Sequence, residues 1–334
     1  MKKKKKDLYL PALFFLIFAG IGAIFLIREL FAPSEKIAGA DEKQSSGGFY
    51  AGGELPAEAS EDIAGYGSIK NNGEDGDSKG LTGSEGDAPV RKTIEPDAAV
   101  VNALLVGDQD MIDRAMLSQY QRINPETKGI IRIRNTVLNH PLMQSPAKED
   151  YYLTHDVLKQ KNGNGTPFLT LASDLSKSSG NNVIYGHNIR YGRKDIFEPL
   201  SGYEKLEFYK EHPTVEIVTE EGTVSYLVFA YYLIDTADED AFPYWISPAW
   251  TDETDFEEYM AEVEKRNWLD TRIPCSISDR YITLSACSVE LAHSGTNRMV
   301  VMARKERDGE YPILYSEKAC MKSNPYLPQK LRKD

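Results

Sequence analysis

Cysteine is scarce in this chain: three in 334 residues, Cys275, Cys287 and Cys320. An odd count excludes a disulfide framework complete within one molecule, so at least one thiol is free or pairs between molecules. Cys275 and Cys320 could pair and leave Cys287 free, but the sequence gives no distance between them. The five histidines have no metal-ligand spacing with one another or with the cysteines, so no metal site is expected. Positive charge is also in deficit, 39 Lys and Arg against 51 Asp and Glu. An acidic domain repels phosphate backbones, which argues against a nucleic-acid partner. Internal repeats are absent.

What is present is unevenly distributed. Residues 2–6 are five lysines, and Leu8 to Ile27 carry no charge. At ~1.5 Å per residue such a helix spans a ~30 Å hydrocarbon core. Lysines before the segment orient the N-terminus to the cytoplasm and the rest of the chain outward. The rival reading is a cleaved signal peptide, kept open by Ala32, Ala38 and Ala40. Residues 33–95 hold 12 of the 25 glycines, with 13 acidic and 6 basic side chains. Such a stretch buries too little apolar surface to offset its ordering entropy. The expected organisation is a basic tail (1–7), a membrane anchor (8–31), a disordered extracellular tether (32–95) and a folded domain (96–334).

The folded part opens with apolar residues at helical spacing, broken by Gly107 and ending at Asn124-Pro125. This predicts one or two short helices. Short strands follow: GIIRIR (129–134), HPLMQ (140–144), TPFLTL (166–171), NNVIYGH (181–187), TVEIVTE (214–220), TVSYLVFAYYLID (223–235), RYITLSAC (280–287) and RMVVMARK (298–305). Strands of this length between turn residues indicate a β-barrel or sandwich. Between the last two pairs, residues 252–270 put Phe256, Tyr259, Met260 and Val263 at i, i+3, i+4 and i+7, the pattern of an amphipathic helix.

Cys287 closes one apolar strand, His187 ends another after Gly186, and Arg298 opens the strand after Cys287. Taken singly, each has a plain reading: a buried structural thiol, a satisfied histidine, a solvated arginine. His293, six residues past the cysteine, is a rival to His187. Together at one rim, a thiol, an imidazole and a guanidinium suit acyl transfer: thiolate attack, protonation of the leaving amine, and a donor for the oxyanion.

These residues resemble a known family. YGHN (185–188), TLSAC (283–287) and RMVVMAR (298–304) are similar to the His, TLxTC and Arg strand motifs of sortases, with Ala286 as a departure before the cysteine. INPETKGIIRI (123–133), HPLMQ with EDYYLTHD (149–156), GHNIRYGRKDIFEPL (186–200) and the helix before the cysteine strand resemble class B members. The resemblance covers roughly residues 120–306.

The resemblance implies a mainly β fold, an eight-stranded barrel with N-terminal helices and an inserted helix before the cysteine strand. It implies Cys287 as nucleophile, His187 as general acid/base and Arg298 as oxyanion ligand, with Ser285 and Asn188 as substrate-binding residues. The implied reaction is cleavage of a C-terminal sorting signal on secreted proteins through a thioester. A peptidoglycan-precursor or pilin amine then takes the acyl group. It also implies no organic cofactor, a Gram-positive source, and a single-pass protein with its catalytic domain outside the cell membrane. Two other classes stay open: an extracellular cysteine peptidase that hydrolyses, and a non-catalytic surface-binding ectodomain.

Overall fold

The computed structural model describes residues 92–188, 196–245, 250–287 and 296–332. The predicted basic tail, the anchor and the tether through residue 91 lie outside them. Among the described residues no helix is long and apolar enough to cross a membrane.

Two helices lead. Helix α1 (Ala98–Val106) starts where the Asp97 carboxylate accepts from the amides of Ala99 and Val100. It stops at Gly107, whose φ of 75° is a left-handed cap that a side chain disfavours. Helix α2 (Gln109–Ile123) is capped in the same way by Asp108 and ends at Asn124, before Pro125.

Eight strands then close a barrel: β1 (Thr127–Arg132), β2 (Asn139–Met143), β3 (Phe168–Leu169), β4 (Gly180–Tyr185), β5 (Thr214–Thr219), β6 (Gly222–Asp235), β8 (Arg280–Cys287) and β9 (Asn297–Lys305), with β7 (Leu269–Asp270) outside it. Neighbour order is β1-β2-β3-β4-β8-β9-β6-β5, and β5 returns to β1. Most pairs are antiparallel, but β2 runs parallel to β3, and β4 runs parallel to β8, with Tyr185 opposite Ser285. Ile131, Leu142, Leu169, Ile184, Ile217, Leu284 and Val301 form one buried cluster. They come from all but one of the eight strands, so this face is the barrel interior.

Alternation puts the neighbouring residues on the outside, where two flanks are covered. Helices α1 and α2 lie over Ile130, Met143, Phe168, Val183, Tyr185 and Val218. On the other flank, helix α4 (Glu253–Arg266) and the segment bearing Phe242, Tyr244 and Trp250 cover Tyr232, Tyr281, Val300 and Met302. Helix α4 is the expected inserted helix; Phe256, Tyr259 and Val263 are buried, and Met260 packs at the edge. Between β4 and β5 lies a short helix α3 (Leu206–Glu211).

Three features depart from expectation. TPFLTL supplies only Phe168 and Leu169 to the sheet; the Met143 amide donates to the Pro167 carbonyl at 2.9 Å as part of the parallel β2–β3 pairing. The strand in NNVIYGH ends at Tyr185, two residues short of His187. Beyond β9 comes an unforeseen helix α5 (Pro312–Lys318) and a strand β10 (Cys320–Met321) that pairs with β7. Cys275 and Cys320 are both free thiols, so the pairing considered for them does not form.

Candidate functional site

The register of three strands assembles the site. On the antiparallel β8–β9 pair, Cys287 stands directly opposite Arg298. On β9, Met299, Val301 and Ala303 belong to the interior cluster, so the alternating Arg298 belongs to the outer face. On the other side of β8, Tyr185 pairs in parallel with Ser285, and the Gly186 amide bonds the Ser285 carbonyl at 3.2 Å. His187 lies two residues beyond the end of β4, and Cys287 two residues beyond Ser285 on β8, so the chain positions of His187, Cys287 and Arg298 follow from the ends of three neighbouring strands, β4, β8 and β9. Side-chain detail at Cys287 and everything at His293 lie outside the described residues.

His187 is half-buried and held at both ends. Its ring Nε2 lies 2.9 Å from the Leu153 carbonyl oxygen. A carbonyl can only accept, so Nε2 carries the proton and Nδ1 is the nitrogen left to exchange one. Its main-chain carbonyl accepts from the Phe197 amide at 3.0 Å. Gly186 is required here: a Cβ would sit 2.7 Å from the Phe197 ring. Burial lowers the His187 pKa below its ordinary 6.5, opposed by the Leu153 hydrogen bond. The resting imidazole is therefore neutral at pH 7.

The Leu153 carbonyl is itself fixed. It ends a single 3-10 turn, Tyr151–Leu153, whose central Tyr152 is fully buried. The Tyr152 hydroxyl accepts from Asn124 Nδ2 at 2.8 Å and donates to Glu126. Gly165 packs underneath at φ 60°, and a Cβ there would come within 2.4 Å of the Leu153 oxygen. Sequence reasoning missed Leu153 as a site residue, and no side-chain signal could have revealed a backbone carbonyl.

Arg298 is 5% exposed, and its Nη1 donates to the Asn297 carbonyl at 2.9 Å. Ser285 is fully buried and shares a 2.9 Å hydrogen bond with the Tyr244 hydroxyl. The Tyr244 carbonyl in turn accepts from Tyr259 of α4 at 2.7 Å. Asn188 is buried beside His187. Among the described residues no group of histidine, cysteine and carboxylate side chains is arranged to hold a metal ion.

Residues 131–306 match the family model described as a sortase domain. Sortase B of Staphylococcus aureus (strain NCTC 8325 / PS 47) is 27% identical over 192 residues, covering 58% of this chain and 75% of that protein. Sortase B of Listeria monocytogenes serovar 1/2a (strain ATCC BAA-679 / EGD-e) is 30% identical over 191 residues, covering 57% and 74%. A Staphylococcus aureus sortase B–substrate complex superimposes with a TM-score of 0.51 at 25% identity, covering 59% of this chain and 87% of that one.

Proposed function

We propose a reaction from one premise: this chain belongs to the sortase family, on its class B-like side, and is a cysteine transpeptidase. In our reading Cys287 is the nucleophile, His187 the general acid/base and Arg298 the oxyanion ligand. The observation that supports it most is the pairing of Cys287 with Arg298 on β8–β9, next to β4, which ends two residues before His187.

The steps follow from the protonation state of His187. Nδ1 of the neutral ring takes the thiol proton as sulfur attacks the scissile carbonyl carbon. Carbonyl electrons move onto oxygen, and the Arg298 guanidinium, permanently charged, stabilises that oxyanion. The imidazolium keeps its Nε2–H on the Leu153 carbonyl and returns the Nδ1 proton to the leaving amine. The carbon–nitrogen bond breaks and a thioester remains. An acceptor amine then attacks the thioester, loses its proton to Nδ1, and releases Cys287. Ser285 and Asn188 contact substrate in this reading, Ser285 through the hydroxyl it shares with Tyr244.

The substrate class is a secreted protein with a C-terminal sorting signal, and the acceptor is an amine of the wall precursor or of a pilin lysine. The N-terminal apolar segment holds the enzyme at the outer membrane face, near both. Residues 96–334 form the catalytic unit, so a protein trimmed to them should fold and cleave a cognate peptide. Loss of its circular-dichroism signal on trimming would defeat that boundary.

Mass-spectrometric screening of a peptide library with candidate amines tests the whole reading. Wild-type protein should yield a thioester adduct on Cys287 and an amine-linked product, and Cys287→Ala neither. Hydrolysis without transfer for every amine would favour a peptidase. The rate of acylation should fall on the acid side below pH 6.5, because the depressed pKa keeps His187 neutral until then. Substitution of His293 that abolished acylation, with His187→Ala active, would reverse the assignment.

A further inference from the structure

The chain continues past the family match at residue 306, and its end lies on a single turn. Strand β10 pairs Cys320 with Asp270 and Met321 with Leu269, and the Lys322 amide donates to the Trp268 carbonyl at 2.8 Å. The Tyr326 amide donates to the Lys265 carbonyl of α4 at 3.0 Å. From there the chain crosses to the turn at 235–240, which carries Asp235, Asp238, Glu239 and Asp240. The Gln329 amide donates to Asp238 at 2.8 Å, Lys330 Nζ to Asp235 at 3.1 Å, and Arg332 Nη2 to Asp240 at 2.6 Å. The Tyr326 hydroxyl also donates to Asp240. Its ring lies 4.2 Å from Lys265 Nζ and 4.3 Å from the Arg332 guanidinium carbon.

That turn is the root of two parts of the proposed site. Asp235, 1% exposed, pairs with Asn297. The Thr236 amide and hydroxyl both donate to the Thr296 carbonyl at 3.0 Å. The start of β9, and with it Arg298, is therefore tied to the turn. On its other side the turn runs directly into Phe242 and Tyr244, and the Tyr244 hydroxyl meets the outer face of β8 at Ser285. A basic tail gripping an acidic turn therefore holds both the strand that carries the oxyanion ligand and the covering of the thiol strand.

We infer that residues 323–332 are an electrostatic clasp that sets the substrate groove, with Tyr326, Lys330 and Arg332 as positioning residues acting through the 235–240 turn. The inference rests on the proposed site at the β4–β8–β9 rim. The clasp is not needed to close the barrel, since eight strands without β7 and β10 complete it; the segment after β10 adds a buried Pro328 and a partly buried Leu331 against the interior cluster. Isolated surface ion pairs contribute little, but here several converge on one turn, one of them on a buried carboxylate. Screening by salt weakens such a grip without unfolding the domain.

The test uses full-length protein in mild detergent, with Lys330→Glu/Arg332→Glu compared with wild type. Amide exchange in 236–245 should accelerate about tenfold or more in the variant, with the melting temperature within a few degrees of wild type. With the peptide selected by the library screen, KM should rise about five- to tenfold and kcat change less. One molar salt should move wild type towards the variant and leave the variant where it is. Pairing Arg332→Asp with Asp240→Arg should restore KM. Unchanged exchange at 236–245, or unchanged KM with faster exchange, would reduce the clasp to a fastening of the chain terminus and overturn the inference. Were wild type inactive on every peptide, the proposed function would fail on its own, and unaltered exchange would still sink the clasp.

Discussion

The two outer flanks of the barrel are built by different physics. Beneath α2, Arg132 lies almost wholly buried among charges. Its Nη1 and Nη2 donate to both oxygens of Asp113 at 2.6 and 2.7 Å, and its Nε to Glu216 at 2.6 Å. Gln109 and Thr223 complete Asp113, and Arg134 completes Glu216. Beneath α4 the contact is aromatic: the Trp250 ring meets Phe256, Tyr259 and Tyr281 at centroid distances of 4.9 to 5.4 Å, all edge-on. Directional bonds to charges admit one geometry, whereas ring packing tolerates small slides. The His187 side of the rim adjoins the first kind of flank and the Ser285 side the second. In the proposed reading the acid/base is held by a directed bond to the Leu153 carbonyl, and the Tyr244–Ser285 side by a packing that can shift.

The sharpest way to break this contrast is at Arg132. Arg132→Ala leaves Asp113 buried without its cation and Glu216 with Arg134 alone, and should cost about 3–5 kcal/mol of stability. Urea unfolding reads it; a loss below about 1 kcal/mol would mean the network is a bystander. Arg298→Lys keeps the charge but loses the planar fork, and should raise the acylation barrier by about 2–4 kcal/mol with little change in stability. Near wild-type turnover would show that the charge alone suffices. Gly165→Ala forces a side chain into left-handed backbone and against the Leu153 oxygen, and should cost about 1–3 kcal/mol. Because it displaces the acceptor of His187 Nε2–H, kcat and the acid limb of the pH profile should both move. A drop in melting temperature with an unaltered pH profile would confine Gly165 to stability. The smallest effect is expected on the yielding flank: Tyr259→Phe removes one hydrogen bond to the Tyr244 carbonyl, worth about 1 kcal/mol. A larger loss there than at Gly165 would invert the comparison.

Much of this was legible in the sequence, for stated reasons. Strand alternation and the i, i+3, i+4, i+7 stripe of Phe256, Tyr259, Met260 and Val263 each repeat over enough residues to be read. The β7–β10 ladder is two residues long and carries no period. The rim motifs singled out Cys287, His187 and Arg298 at strand ends; the register pairs Cys287 with Arg298, and His187 follows β4, the parallel neighbour of β8. The Leu153 carbonyl left no trace, since every residue has one. The ion pair between Lys330 and Asp235 spans 95 positions, and no local pattern links them.

The parallel pairing of β4 with β8 carries one more consequence, for the order of events as the chain folds. Antiparallel neighbours can meet through a tight turn, whereas parallel ones need a long crossover. Here the crossover from Tyr185 to Arg280 contains β5, β6, α4 and β7. Loop closure over such a distance is slow and comes after local hairpins have formed. The position of Cys287 therefore comes beside that of His187 only when β8 docks on β4. In the proposed reading, a molecule that has not made this closure carries a cysteine without its base.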